Sequence, residues 1–112
     1  MLTTITRTDL QAALERDVVV LVEALPAAHY DDAHLPGALN VPDRLTAQLA
    51  EHLAPDRDRT VVVYCSGPAC GRSKVTAAAF AALGYTDVRV YPGGKADWAG
   101  AGLRLDTVQP VR

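Results

Sequence analysis

The segment Tyr64-Cys65-Ser66-Gly67-Pro68-Ala69-Cys70-Gly71-Arg72-Ser73 holds the residue types best suited to chemistry. A cysteine becomes a nucleophile when its surroundings lower its pKa, and the start of a helix does so through unpaired N–H groups and a partial positive charge. Arg72 adds a permanent charge with forked donors, suited to a thiolate or to an anionic substrate such as a sulfo-oxyanion or phosphate. Gly67 and Gly71 are expected to take positive φ and turn successive backbone N–H groups toward one point. Pro68 has no N–H to add. The plain alternative is that Cys65 is only a small buried residue at a strand end. Cys70 could be a second reactive thiol, a resolving partner for Cys65, or a loop residue without chemistry, and inertness is the default expectation.

That chemistry needs a strand to deliver Cys65 and a helix to begin near Arg72. Val61-Val62-Val63-Tyr64 is a β-branched run without polar alternation, as expected of a strand covered on both faces, and Val18–Val22 has the same character. Val88-Arg89-Val90-Tyr91 is a third candidate, ended by Pro92-Gly93-Gly94. From Arg72 to Leu83 an Ala-rich stretch places Val75, Ala78, Ala79, Ala82 and Leu83 on one helical face and stops at Gly84. A helix is expected from about Thr8 to Arg16, opened by the capping box Thr8-Asp9-Leu10-Gln11, and another from about Asp43 to Leu53, closed before Pro55. Ile5 and its neighbours are expected to add a small edge strand, and Lys95 to Ala99 one or two helical turns. The alternation specifies an α/β fold with a mostly parallel central sheet and right-handed crossovers. In such sheets, sites form at the carboxyl ends of the strands, where the Cys65 loop falls.

Composition narrows the function classes. The 112 residues carry 11 Lys+Arg against 13 Asp+Glu, a net charge of -2, so no basic excess draws the chain to nucleic acid or to an anionic membrane. The length and the 49% apolar fraction fit one ordered domain over residues 1–112. No apolar run approaches the roughly 18 residues that span a bilayer. The segment Met1–Arg7 lacks signal-peptide character, so a cytoplasmic location is expected. Two cysteines cannot form a disulfide framework, and a reducing cytosol would keep both as thiols. His29, His34 and His52 match no zinc spacing; His34 is expected to hydrogen-bond within the turn signalled by Pro36-Gly37. Asp31-Asp32 reads as a solvated turn and Trp98 as a packing anchor for the last helix. Gly67–Ser73 is one residue short of a P-loop and has Arg in place of Lys.

Across most of its length the chain resembles the single-domain rhodaneses, the thiosulfate sulfurtransferase family. Leu21-Val22-Glu23 resembles that family's strand ending in an acidic residue, and Tyr30 through Pro42, with His34-Leu35-Pro36-Gly37-Ala38, resembles the segment that follows it. Val61–Cys65 is similar to the strand delivering the family's cysteine, and Arg72-Ser73 to the close of its active-site loop. Gly84-Tyr85, Val88, Gly93-Gly94 and Trp98 are similar to its C-terminal part. The resemblance implies a three-layer α/β/α fold and an enzyme that moves a sulfane sulfur from a donor such as thiosulfate to cyanide or a thiol, through a persulfide on Cys65. It implies that Arg72 binds the donor's anionic part, and that the loop N–H groups of Ser66, Gly67, Gly71 and Ser73 stabilise the thiolate and persulfide. The implied partners are a small anionic sulfur donor and a thiol or protein acceptor, with no cofactor and no metal.

Two positions depart from the family pattern. Six residues separate Cys65 from Arg72, where the family usually has four, so a wider pocket is expected. Phosphatases of the same fold have five, which makes a phosphatase or arsenate-handling enzyme the alternative, alongside a non-catalytic binding or regulatory module. Leu25 replaces an arginine common after the acidic strand end, and Glu23 is expected to be less well partnered as a result.

Overall fold

A computed structural model describes residues 3–108. Met1 and Leu2, which open the segment lacking signal character, lie outside the described residues. Along the chain run β1 (Thr3–Thr4), α1 (Arg7–Glu15), β2 (Val19–Glu23), α2 (Ala27–Asp32), β3 (Leu39–Asn40), α3 (Ala47–Leu53), β4 (Thr60–Tyr64), α4 (Arg72–Ala82), β5 (Val88–Val90) and α5 (Gly94–Gly100). The strands form one sheet in the order β1-β5-β4-β2-β3. Every pairing is parallel. No helix among the described residues is long and apolar enough to cross a membrane.

The apolar strand runs have the expected consequence: both sheet faces are covered. Val22, Val61 and Val63 pack with Ala50 and Ala54 of α3 and with Ala77 and Phe80 of α4. Leu21, Val62 and Tyr64 point the other way, against Leu10 of α1, Leu35 and Trp98 of α5. The result is three layers, α/β/α, with β4 at the centre. Trp98 is buried and its indole N–H donates to the Arg104 carbonyl, so it anchors the last helix as expected.

Several boundaries differ from the sequence-based expectation. Helix α1 starts earlier because Thr6 caps it, its hydroxyl accepting from the Asp9 amide at 3.1 Å. Helix α3 starts at Ala47 rather than near Asp43 because Thr46 caps it in the same way, accepting from the Leu49 amide. Asp31-Asp32 ends a short helix, α2, rather than lying in a turn. That helix has no fully buried residue, so it has no apolar stripe to betray it. The edge strand at the N-terminus is Thr3–Thr4, and the Ile5 amide continues its ladder by donating to the Val90 carbonyl at 3.0 Å.

The start of α5 fixes the path of the Cys65 loop. The Lys95 amide donates to the Cys65 carbonyl at 3.0 Å and the Ala96 amide to the Ser66 carbonyl at 2.9 Å. Gly94 has φ +60, and a Cβ there would collide with the Cys65 carbonyl oxygen and lie 2.9 Å from the Gly67 nitrogen. Two independent reasons, conformation and space, therefore require glycine. At the other side of α5, Asp97 accepts from the Tyr91 hydroxyl and pairs with Arg7 at 2.8 Å, tying this helix to the end of β5 and to α1. The Tyr91 hydroxyl and the Arg7 guanidinium together hold the Asp97 carboxyl below its ordinary value.

Two outcomes are expected. Gly94→Ala should lower unfolding stability by about 2–4 kcal/mol in denaturant titrations, and an unchanged midpoint would show that the loop gives way freely. A carboxyl whose folded pKa is depressed contributes stability above its unfolded value and loses it as pH falls through the folded one. Stability should therefore decline below about pH 4, and Asp97→Asn should flatten that decline; equal acid slopes in the two proteins would exclude Asp97 as a cause.

Candidate active site

Cys65 is the first residue past β4, and it is 2% exposed. Strand alternation puts it on the same side as Val63, facing α4, while its neighbour Tyr64 points to the opposite face. Ser73, in the first turn of α4 and also buried, places its hydroxyl oxygen 3.4 Å from the Cys65 sulfur. The nucleophile candidate thus sits where the expectation put it, between the end of the central strand and the beginning of an eleven-residue helix.

The two cysteines are not separate thiols. Cys65 and Cys70 are joined in a disulfide, with their Cα atoms 6.4 Å apart. The expectation of free thiols is corrected by the turn between them. The Cys70 amide donates back to the Gly67 carbonyl at 3.1 Å, which folds the loop over and brings the second sulfur onto the first. Counting cysteines excludes a framework of staples, but says nothing about two sulfurs on one short loop. Cys70 is partly exposed, whereas Cys65 is buried beneath it.

The glycines also act differently from the expectation. Neither Gly67 nor Gly71 has positive φ; Gly71 sits at φ -91 as the residue preceding α4. The positive-φ glycine at this loop is Gly94, which reaches it from α5. The Cys70 amide, engaged by Gly67, is not free to join a cradle of donors. Ser66 is exposed, and its carbonyl is held by Ala96.

Arg72 makes no hydrogen bond to the Cys65 sulfur among the described residues. Its Nε donates to the Ala24 carbonyl at 3.1 Å and its Nη2 to the Pro42 carbonyl at 2.9 Å, so it pins the start of α4 to the chain leaving β2 and β3. The longer loop accounts for this. With six residues to cross, the arginine emerges outside the turn rather than beneath it. Arg72 lines a groove of about 660 Å³ with Asp43, Arg44, Gly71, Val75 and Thr76. The groove flanks the loop, with two guanidinium groups along it and Val75 largely exposed.

Glu23 is partnered through Oε1, while its buried Oε2 has no hydrogen-bond partner among the described residues, so the expectation drawn from Leu25 holds for one carboxylate oxygen and fails for the other. Fully buried at the end of β2, its Oε1 pairs with the Lys95 ammonium at 3.1 Å and accepts from the Tyr64 hydroxyl at 2.9 Å. Burial, with the Glu23 carboxylate beside it, holds the Tyr64 hydroxyl well above its ordinary pKa, so it remains a donor. It also accepts from the Leu35 amide. Lys95 therefore supplies the cation that position 25 lacks, and its Nζ also donates to the His29 carbonyl. Sequence reasoning missed Lys95; the available signal was a buried acid without a nearby base, which requires a cation from elsewhere. His34 hydrogen-bonds back into α2 rather than within the expected Pro36-Gly37 turn, its Nδ1 donating to the Tyr30 carbonyl at 2.8 Å, and its ring stacks on Tyr30.

Comparison with known proteins agrees with this architecture. The chain is 36% identical over 108 residues to the HTH-type transcriptional regulator Rv0324 of Mycobacterium tuberculosis. That match covers 96% of this chain but 46% of the regulator, so the chain spans about half the length of this curated relative. Among solved structures, the BH2092 protein of Bacillus halodurans superposes with a TM-score of 0.86 at 24% identity, covering 95% of this chain and 77% of that one. A thiosulfate sulfurtransferase from Pseudomonas aeruginosa superposes at 0.78 with 24% identity, over 99% of this chain and 21% of that one. Residues 6–101 match the family model described as Rhodanese-like domain, and the chain belongs to that family.

Proposed function

We propose that this chain is a sulfurtransferase that carries a sulfane sulfur on Cys65. The observation that carries the reading is the placement of Cys65: buried at the end of the central strand, beside the Ser73 hydroxyl, at the positively polarised start of α4. Family membership and the fold shared with a thiosulfate sulfurtransferase support it. With the disulfide reduced, the Cys65 thiolate attacks the outer sulfur of a donor such as thiosulfate. The sulfur–sulfur bond of the donor breaks and its electron pair leaves with sulfite, while Cys65 holds a persulfide. An acceptor thiolate or cyanide then attacks the outer sulfur and returns Cys65 to its thiolate. In this reading the start of α4 favours the thiolate, and no general base takes part.

Arg72 and Arg44 outweigh the Asp43 carboxylate in the groove beside the loop, which leaves its lining with one net positive charge to attract anions. In this reading Arg72 releases the Pro42 carbonyl to bind the donor's oxyanion. The relative named as a transcriptional regulator favours a second reading, in which loading of Cys65 serves as a signal and turnover is absent.

After reduction, incubation with thiosulfate should release one sulfite per chain as Cys65 takes up the outer sulfur, and Cys65→Ser should abolish that release. Arg72→Ala should lower kcat/KM for thiosulfate-to-cyanide transfer by about 10–100-fold, the scale of one charge-assisted hydrogen bond. Loading without transfer to any thiol or cyanide would favour the signalling reading. Hydrolysis of an aryl phosphate with no sulfur adduct would replace both with a phosphatase.

A further inference from the structure

Resting on the sulfurtransferase reading, we infer that Cys70 resolves the Cys65 persulfide, releasing hydrosulfide and closing the Cys65–Cys70 disulfide. The chain would then act as a sulfane-sulfur reductase as well as a transferase.

Three observations lead there. The turn from Gly67 to Cys70 brings the second sulfur into bonding contact with the Cys65 Sγ itself, the inner sulfur of any persulfide formed there. A thiolate so placed attacks without the entropy cost of a bimolecular encounter, and an external acceptor must compete with it. Exposure is also unequal: Cys65 is buried at 2% while Cys70 is partly open to solvent. An incoming thiol therefore reaches Cys70 first. Finally, Cys65 is the better leaving group when the disulfide is reopened, because the Ser73 hydroxyl 3.4 Å away and the start of α4 both favour its thiolate. The loop is built so that reduction begins at Cys70 and ends by freeing the nucleophile.

The steps balance. The Cys70 thiolate forms a bond to the Cys65 Sγ, and the bond from that sulfur to the outer sulfur breaks. Its electron pair leaves with the outer sulfur, which takes up a proton as hydrosulfide. The donor's sulfane sulfur is reduced by two electrons, and the two cysteine thiols are oxidised to the disulfide. A small-molecule or protein dithiol then attacks Cys70, expels the Cys65 thiolate and closes its own disulfide, restoring both thiols. The class of reaction that must supply the substrate is one that generates sulfane sulfur, and the product passes to a reaction that consumes sulfide.

The test is an anaerobic single turnover. Reduced wild-type protein, freed of reductant, is mixed with thiosulfate without an acceptor, and hydrosulfide and intact mass are followed together. Wild type should release one hydrosulfide per chain and end at the mass of the disulfide, having lost two hydrogens. Cys70→Ser should instead retain the added sulfur on Cys65 and release no hydrosulfide until a thiol is supplied; Cys70→Ala should behave likewise. A persulfide that is equally stable in wild type and Cys70→Ser would overturn the resolving role while leaving the transferase reading intact. Sulfur found on Cys70 would overturn it too, by showing attack on the outer atom. If no variant takes up sulfur at all, the transferase reading fails first and the resolving role with it.

Discussion

The Cys65 loop is held by two hydrogen bonds that run backward from what helix starts usually offer an anionic site. The first amides of α5 spend themselves on the Cys65 and Ser66 carbonyls, so α5 acts as a clamp. The field of α4 is then left for the sulfur. The clamp works only if the backbone of α5 comes within van der Waals reach of the loop, which is why Gly94 must lack a side chain. It also sets the position of the next residue. Lys95, whose amide holds the loop from one side, sends its ammonium to Glu23 at the end of the adjacent strand.

That ion pair matters for the sulfur although it lies behind it. A carboxylate buried at the end of β2 is expensive unless paired, and one of its oxygens, Oε2, has no hydrogen-bond partner among the described residues. Left unneutralised beside the end of β4, its charge would oppose any anion held at the Cys65 loop. Lys95 and the Tyr64 hydroxyl absorb it. The same network joins the ends of β2 and β4 to α5, and Asn40 extends it by donating to the Glu23 and Leu25 carbonyls from β3. Polar burial thus rigidifies the carboxyl edge of the sheet where the loop departs.

Much of this was legible before any coordinates, because it rests on signals that are local in sequence. The runs Val18–Val22 and Val61–Tyr64 name buried parallel strands by having no polar face, and the Ala-rich stretch after Arg72 names α4 by its spacing. Cys65 follows from both, since a cysteine between such a strand and such a helix can only be at the carboxyl edge. What escaped depends on contacts between distant residues or on unpatterned chain. Helix α2 buries no residue fully and so leaves no stripe. Lys95 pairs with an acid far from it in sequence, and the requirement for glycine at position 94 comes from a neighbouring loop. Gly67 and Gly71 show the converse error: permissive residues need not use their freedom.

The arginine and the disulfide, the two largest departures at the site, have one cause. Six residues between Cys65 and Arg72 are enough to close a turn within the loop, and the Gly67–Cys70 hydrogen bond closes it. A chain that turns back on itself brings its later residue over the strand end, and that residue here is Cys70. The same reversal carries the following Gly71 and Arg72 outward, where the guanidinium finds the Ala24 and Pro42 carbonyls. One geometric event therefore replaces a cation beside the sulfur with a second sulfur. A cation would hold a donor's oxyanion in place, whereas a sulfur competes for the bond that the donor makes. Loop length therefore decides whether a cation or a second sulfur faces the end of the central strand.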